Sequence, residues 1–227
     1  MPKSSVLAIW ILPIAAIAMG VAIWAGWSAP VDSGEGIVQK ILYVHVPVVW
    51  TAYLAFFVGL IASIGFLKNR KRSWDRVAAC SIEIGVIFCT LVLVTGPIWA
   101  KPIWNTWWQW DARLSATLVL WFMYVGYLAV RVLAEDRAQA SRWSAVIAIV
   151  AFLNVGIVHK SVEWWHTLHP KPKALSPDGL NSGLEPGMAK ALWLSVLAFT
   201  LLYLVLFFLR LTVERLSDDA EEKRAAA

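Results

Sequence analysis

Six apolar runs in this chain are too long for a water-soluble core. They cover roughly residues 6–27, 46–67, 77–99, 114–132, 143–159 and 188–211. A helix needs about 20 mostly apolar residues to cross a bilayer. In lipid every backbone N–H and C=O must be satisfied within the chain, so a spanning segment is a helix or part of a closed barrel. The alternating pattern of a barrel strand is absent, and 59% of the residues are hydrophobic against 15% charged. The expected fold class is all-α, an integral membrane protein with six transmembrane helices. Residues 1–216 are read as one domain and 217–227 as a flexible polar tail. The first run is read as a retained helix. It is longer than the apolar part of a secretion signal, and Pro30 follows the small-residue pair Ser28 and Ala29. The fifth run is the shortest, so its helix sits upright or begins before Trp143.

Basic residues in the connecting loops set the orientation. One side carries Lys3, Lys68, Arg70, Lys71, Arg72, Arg76, Arg131, Arg137, Arg142, Arg210, Arg215, Lys223 and Arg224, thirteen in all. The other carries Lys40, Lys101, Arg113, Lys160, Lys171, Lys173 and Lys190, which is seven. The richer side is expected to face the cytoplasm, with both termini inside. Loops 28–45, 97–113 and 160–187 then face outward. The net charge of +5 follows from membrane topology and requires no nucleic acid.

All four histidines lie at or beyond that outer surface, and twelve of fifteen tryptophans fall in the outer half. An interfacial aromatic belt would populate both interfaces. The bias is greatest in WNTWWQWDAR, residues 104–113, within a tryptophan-rich segment at 99–115. On a short interfacial helix, Trp104, Trp107, Trp108 and Asp111 would share one face at i, i+3, i+4 and i+7. Pro97 and Pro102 would end the helix before it. Such a shelf suits a large flat ligand with polar corners; the alternative is a membrane-anchoring amphipathic helix.

Neutral imidazole is a good ligand for iron, copper and zinc. His45 sits at the outer mouth of the second helix, with Pro47 near that helix's start, where a missing N–H costs nothing. His169 closes the third outer loop. Two histidines from separate segments could clamp one iron from opposite sides, as in bis-histidine haem. Lys101, Arg113, Lys171 and Lys173 could meet its propionates. His166 and His169, at i and i+3, could instead make a small zinc or copper site, and His159 could simply hydrogen-bond at its helix end. Cys80 and Cys89 lie on one helix about 13 Å apart and cannot bond to each other. No C-x-x-C-H is present for covalent haem, and no nucleotide-binding loop. Glu83, a carboxylate inside a span, is either functional or bonded to a neighbouring helix.

The stretch from Trp104 to Ser115 resembles the WWD signature of haem-handling membrane proteins in cytochrome c maturation. Tyr43 to Trp50 and Val162 to His169 resemble the two histidine segments that flank it. With six helices, the chain is similar over nearly its whole length to the CcmC family of haem exporter proteins. That resemblance implies His45 and His169 as axial ligands of the haem iron. It implies Trp104, Trp107, Trp108, Trp110 and Asp111 as the haem-presenting surface; a role for Asp111 and Arg113 in orienting that surface, or in meeting the haem chaperone that receives the cargo, is a separate expectation. The family's glycine after Trp104 is here Asn105, which argues against a very tight turn. Its threonine is here Ser115. His166 stands where the family often has asparagine.

The family further implies non-covalent, transient haem b held at the periplasmic face of the bacterial inner membrane, with no turnover chemistry. The partners implied are the haem chaperone CcmE, the small protein CcmD and the ABC-type subunits CcmA and CcmB. Two other classes stay open. A cytochrome b-type redox subunit would need histidine pairs inside the helices. A scaffold or permease subunit would bind no haem.

Overall fold

Each apolar run becomes a helix longer than the run itself. The computed structural model describes residues 3–169 and 184–225. The helices are α1 (Lys3–Ser28), α2 (Leu42–Asn69), α3 (Arg72–Trp104), α4 (Ala112–Leu133), α5 (Arg137–Trp164) and α6 (Pro186–Ala225), with a 3-10 turn at Ile37–Ile41 before α2. All six are long and apolar enough to cross a membrane. No strand is named among the described residues; the one bridge joins Asp32 to Gly36. The fifth helix begins well before Trp143, which removes the concern over its length.

α2 is the central helix, packed against α3, α5 and α6. It meets α3 closely because Gly59 and Gly85 face each other's helix. A Cβ on Gly59 would lie 2.4 Å from the Ile82 side chain, and one on Gly85 would lie 2.6 Å from the Phe56 ring. The freed space lets Phe56 stack on Tyr124 of α4, with ring centroids 3.7 Å apart. Small residues replace the hydrophobic effect as the means of helix contact in lipid, because close backbones maximise dispersion. α1 uses the same device. Its buried residues Ala8, Ala15 and Ala22 recur every seven positions. It packs chiefly on α6, where Ser4 and Thr212 share a buried hydrogen bond of 2.8 Å.

Four expectations are corrected here. Pro97 and Pro102 do not end α3; both lie inside it. A proline removes one ladder bond, and tight packing of a long transmembrane helix tolerates that loss. Pro47 lies inside α2, which starts at Leu42 and follows directly on the 3-10 turn. Residues 104–113 do not form a helix. α3 runs through Trp104, α4 starts at Ala112, and the residues between are irregular. Asn105 adopts the left-handed conformation at φ 55° and breaks the helix there, so asparagine makes the turn that a glycine would favour. Finally, the polar stretch at 217–227 is helical through Ala225. Asp218 explains why: it is buried, and Arg72, Arg76 and Arg137 from two other helices converge on it.

That convergence defines one end of the bundle, the arginine end. Arg131 grips Asp75 through two hydrogen bonds of 2.6 and 3.1 Å. Arg210 bonds Glu83 at 2.8 Å and Glu214 at 2.9 Å, so Glu83 is tied to a neighbouring helix. The opposite end carries His45, residues 105–111 and the start of the α5–α6 connection. It is the histidine end.

Candidate functional site

The histidine end is built on two anchored helix termini. At the end of α1 the last carbonyls have no partner within the helix. The Lys40 ammonium donates to two of them, on Gly26 and Trp27, at 3.0 and 2.6 Å, and to the Ala29 carbonyl just beyond the helix at 2.9 Å. A cation also suits the negative end of the helix dipole. At the start of α4, Asp111 is the N-cap: one carboxylate oxygen accepts from Leu114 N at 2.8 Å. Its other oxygen accepts from Leu168 N at 3.3 Å. Asp111 therefore joins the start of α4 to the segment that carries His169.

His45 is buried in the first turn of α2. Its Nδ1 lies 2.8 Å from the Thr95 hydroxyl on α3. Trp99, one turn further on, meets the imidazole edge-on at 5.6 Å. Trp99 is itself held, because its indole N–H donates to Glu35 at 3.1 Å. Glu35 belongs to a short turn organised by Asp32, whose carboxylate accepts from the backbone of Gly34 and Glu35 at 2.8 Å each. Those two N–H bonds hold the Asp32 carboxyl below its usual pKa.

His169 lies across the site. Arg113 Nη1 bonds its Nδ1 at 3.1 Å, and Arg113 Nη2 donates to the His159 carbonyl at 3.2 Å. Trp104, the last residue of α3, meets the His169 ring edge-on at 6.3 Å. His45 meets Trp99 and His169 meets Trp104, and both tryptophans lie near the end of the same helix α3. The two imidazoles therefore share one end of the molecule although they are 124 positions apart in the chain.

The four tryptophans do not share one face. Trp107 and Trp110 are exposed, at 59% and 77%. Trp108 packs edge-on against Trp110 at 5.6 Å. Its carbonyl accepts from Thr106 at 2.9 Å. Lys101 turns back onto the Asn105 carbonyl and side chain, both at 3.2 Å. Lys171 and Lys173 lie outside the described residues. His166 is exposed and beyond the end of α5, so the i, i+3 helical pair with His169 does not form. Among the described residues no group of three metal-binding side chains occurs. Cys80 and Cys89 are buried and free.

The donor set fits a planar iron-bearing ligand with carboxylates. Two imidazoles are available, the half-buried indoles of Trp99 and Trp104 stand beside them, and two buried donors at this end have no partner. These are Trp108 Nε1 and Arg113 Nε. A buried N–H without an acceptor costs about 1–3 kcal/mol, which a bound carboxylate would recover. A cytochrome b arrangement is not met, since His45 is the one histidine buried within the bundle. Thr95, Trp99 and Lys40 were not singled out as site residues by sequence reasoning. Thr95 had a signal, being a hydroxyl in an apolar span, but nothing local tied it to His45.

A model of the Heme exporter protein C family, CcmC, matches residues 1–226. The chain is 36% identical over 208 residues to Heme exporter protein C of Escherichia coli (strain K12), covering 89% of this chain and 82% of that protein. It is 35% identical over 197 residues to Heme exporter protein C of Bradyrhizobium diazoefficiens, covering 87% and 74% respectively. It is also 35% identical over 170 residues to a protein of Marchantia polymorpha, described as a putative cytochrome c biosynthesis ccmC-like mitochondrial protein. That match covers 75% of this chain and 69% of the relative.

Proposed function

The chain belongs to the Heme exporter protein C family, and from that premise we propose that it holds haem at its histidine end and passes it on for cytochrome c maturation. His45 and His169 are the axial ligands of the iron. Trp104, Trp107, Trp108 and Trp110 provide the aromatic surroundings, and Arg113 meets a propionate. Asp111 acts at one remove, by fixing the segment that carries His169 to the cap of α4. The cargo is haem b, bound non-covalently and transiently. The role is carriage, with no reaction catalysed by this chain.

The observation that carries this reading is the placing of His45, His169 and two unpartnered buried donors at one end of the bundle. Exposed Trp107 and Trp110 leave that end open, as a carrier requires. A closed pocket would slow release, and affinity differences lie mostly in the off-rate. The thirteen-to-seven bias in basic residues supports cytoplasmic termini, so the site faces the periplasm of the inner membrane. The recipient is the haem chaperone CcmE, with CcmD, CcmA and CcmB as companions.

The test is an absorption spectrum of the purified protein, oxidised and reduced, beside His45→Ala and His169→Ala. A low-spin six-coordinate signal, changed in each variant, supports the clamp. A spectrum indifferent to both substitutions, or a wild type that takes up no haem, overturns it.

A further inference from the structure

The two histidines differ in where their protons sit. A neutral imidazole carries one N–H and one lone pair, and whichever nitrogen donates leaves the other to bind metal. Thr95 decides the matter for His45. Its hydroxyl has one proton, and it donates that proton to the Leu91 carbonyl at 2.7 Å. Toward His45 Nδ1, 2.8 Å away, it therefore accepts. The proton of His45 is on Nδ1, and Nε2 carries the lone pair. Trp99 meets the same ring edge-on, with centroids 5.6 Å apart.

Arg113 imposes the opposite state on His169. A guanidinium donates and cannot accept. With Arg113 Nη1 on His169 Nδ1, that nitrogen supplies the lone pair and Nε2 holds the proton. In this state Nε2 cannot bind iron. Yet Arg113 is poised to leave. Its Nε is buried without a partner, so a carboxylate would offer it an acceptor that neither His169 nor the His159 carbonyl supplies. A charged acceptor makes a hydrogen bond roughly twice as strong as a neutral imidazole does.

We propose that the clamp closes in a fixed order: Thr95 presets His45 as the standing ligand, and Arg113 withholds His169 until a porphyrin carboxylate draws the guanidinium away. This rests on the reading of His45 and His169 as the ligands. When Arg113 leaves, His169 Nδ1 gains a proton from water and Nε2 gives one up. No net charge changes, and the freed Nε2 lone pair forms the second bond to iron. Asp111 keeps Leu168 N throughout, so the ring is released without releasing the segment. Thr95 is a positioning residue, since it acts on iron only through His45. The order has a use in a carrier: losing one carboxylate contact lets Arg113 retake His169, and the haem is then held by His45 alone.

Two measurements test this. The first uses haem-free protein with 15N-labelled histidine and reads the ring nitrogens by NMR. The expected result is Nδ1–H at His45 and Nε2–H at His169. Thr95→Val should scramble the His45 tautomer and weaken haem binding about tenfold or more, the scale for losing a ligand-orienting partner. Thr95→Ser should restore both. Nε2–H at His45 in the wild type overturns the preset. The second compares haem with its dimethyl ester in the wild type. Free haem should give a six-coordinate spectrum and the ester a five-coordinate one. Arg113→Gln should raise the six-coordinate fraction with the ester. An ester that is six-coordinate in the wild type overturns the gate while leaving the clamp intact. Failure of the clamp itself shows separately, as a wild-type spectrum indifferent to His45→Ala and His169→Ala.

Discussion

At the arginine end, Asp218 is surrounded by Arg72, Arg76 and Arg137, and Asp75 is gripped by Arg131. At the histidine end, Arg113 has no ion-pair partner among the described residues, and its Nε and the Trp108 indole N–H are buried with nothing to donate to. Both ends contain buried polar groups in an apolar chain. Both also leave single buried polar atoms without a hydrogen-bond partner, Arg76 Nε and Tyr127 Oη at the arginine end among them. They differ in whether their charged groups are paired within the protein. Completed charges tie α3, α4, α5 and α6 together and leave little for a ligand to gain. Uncompleted donors cost stability in the empty protein and return it when an acceptor arrives. The comparison therefore separates an end whose carboxylates are held by arginines from one where an arginine has no carboxylate to hold.

This comparison can be broken by substitution, and the largest effect should be qualitative. His45→Ala should abolish the six-coordinate haem spectrum while lowering the stability of the haem-free protein by no more than about 1–3 kcal/mol, the usual cost of emptying a buried position. A large loss of stability without haem would make His45 a structural residue. Next, Asp218→Ala should destabilise the bundle by about 1–2 kcal/mol, read as a lower denaturation midpoint in detergent, with the haem spectrum unchanged. The value is kept low because Arg72 and Arg137 remain half-exposed and water takes over part of their solvation. An altered haem spectrum in that variant would show that the two ends are coupled. Asp111→Ala should cost about 1 kcal/mol for the lost N-cap and also lower the six-coordinate fraction, because His169 loses its anchor. A fall in stability with no spectral change would confine Asp111 to capping. The smallest effect belongs to Asn105→Gly. It should alter stability by only a few tenths of a kcal/mol to about 1 kcal/mol and leave haem binding unchanged, since glycine accepts the left-handed conformation without strain.

Much of this architecture is legible in the chain alone. The six spans follow from the length of the apolar runs, and the histidine end follows from where His45, His169 and the tryptophans fall between them. What was not legible has two sources. One is local competition between signals. Residues 104–111 have helical spacing of aromatics, but Asn105 and the N-capping Asp111 are stronger, and together they make an irregular connection between two longer helices. The other source is tertiary. Thr95 and His45 are 50 residues apart, and their meeting depends on the register of α2 against α3, which glycines 59 and 85 allow. Asp218 sits in a stretch whose composition suggests solvent, and it is buried only because three arginines from α3 and α5 close over it.

One helix touches both imidazoles. Thr95 and Trp99 hold His45, and Trp104, at the end of the same α3, meets the ring of His169. Nine residues of helix separate Thr95 from Trp104, about 13–14 Å along the axis, and Pro97 and Pro102 fix φ at two points between them. The spacing between these two ring contacts is thus set by the pitch of a single rod. Deleting one residue between Thr95 and Trp104 would turn one contact by about 100° relative to the other, a loss of phase that no side-chain adjustment could restore.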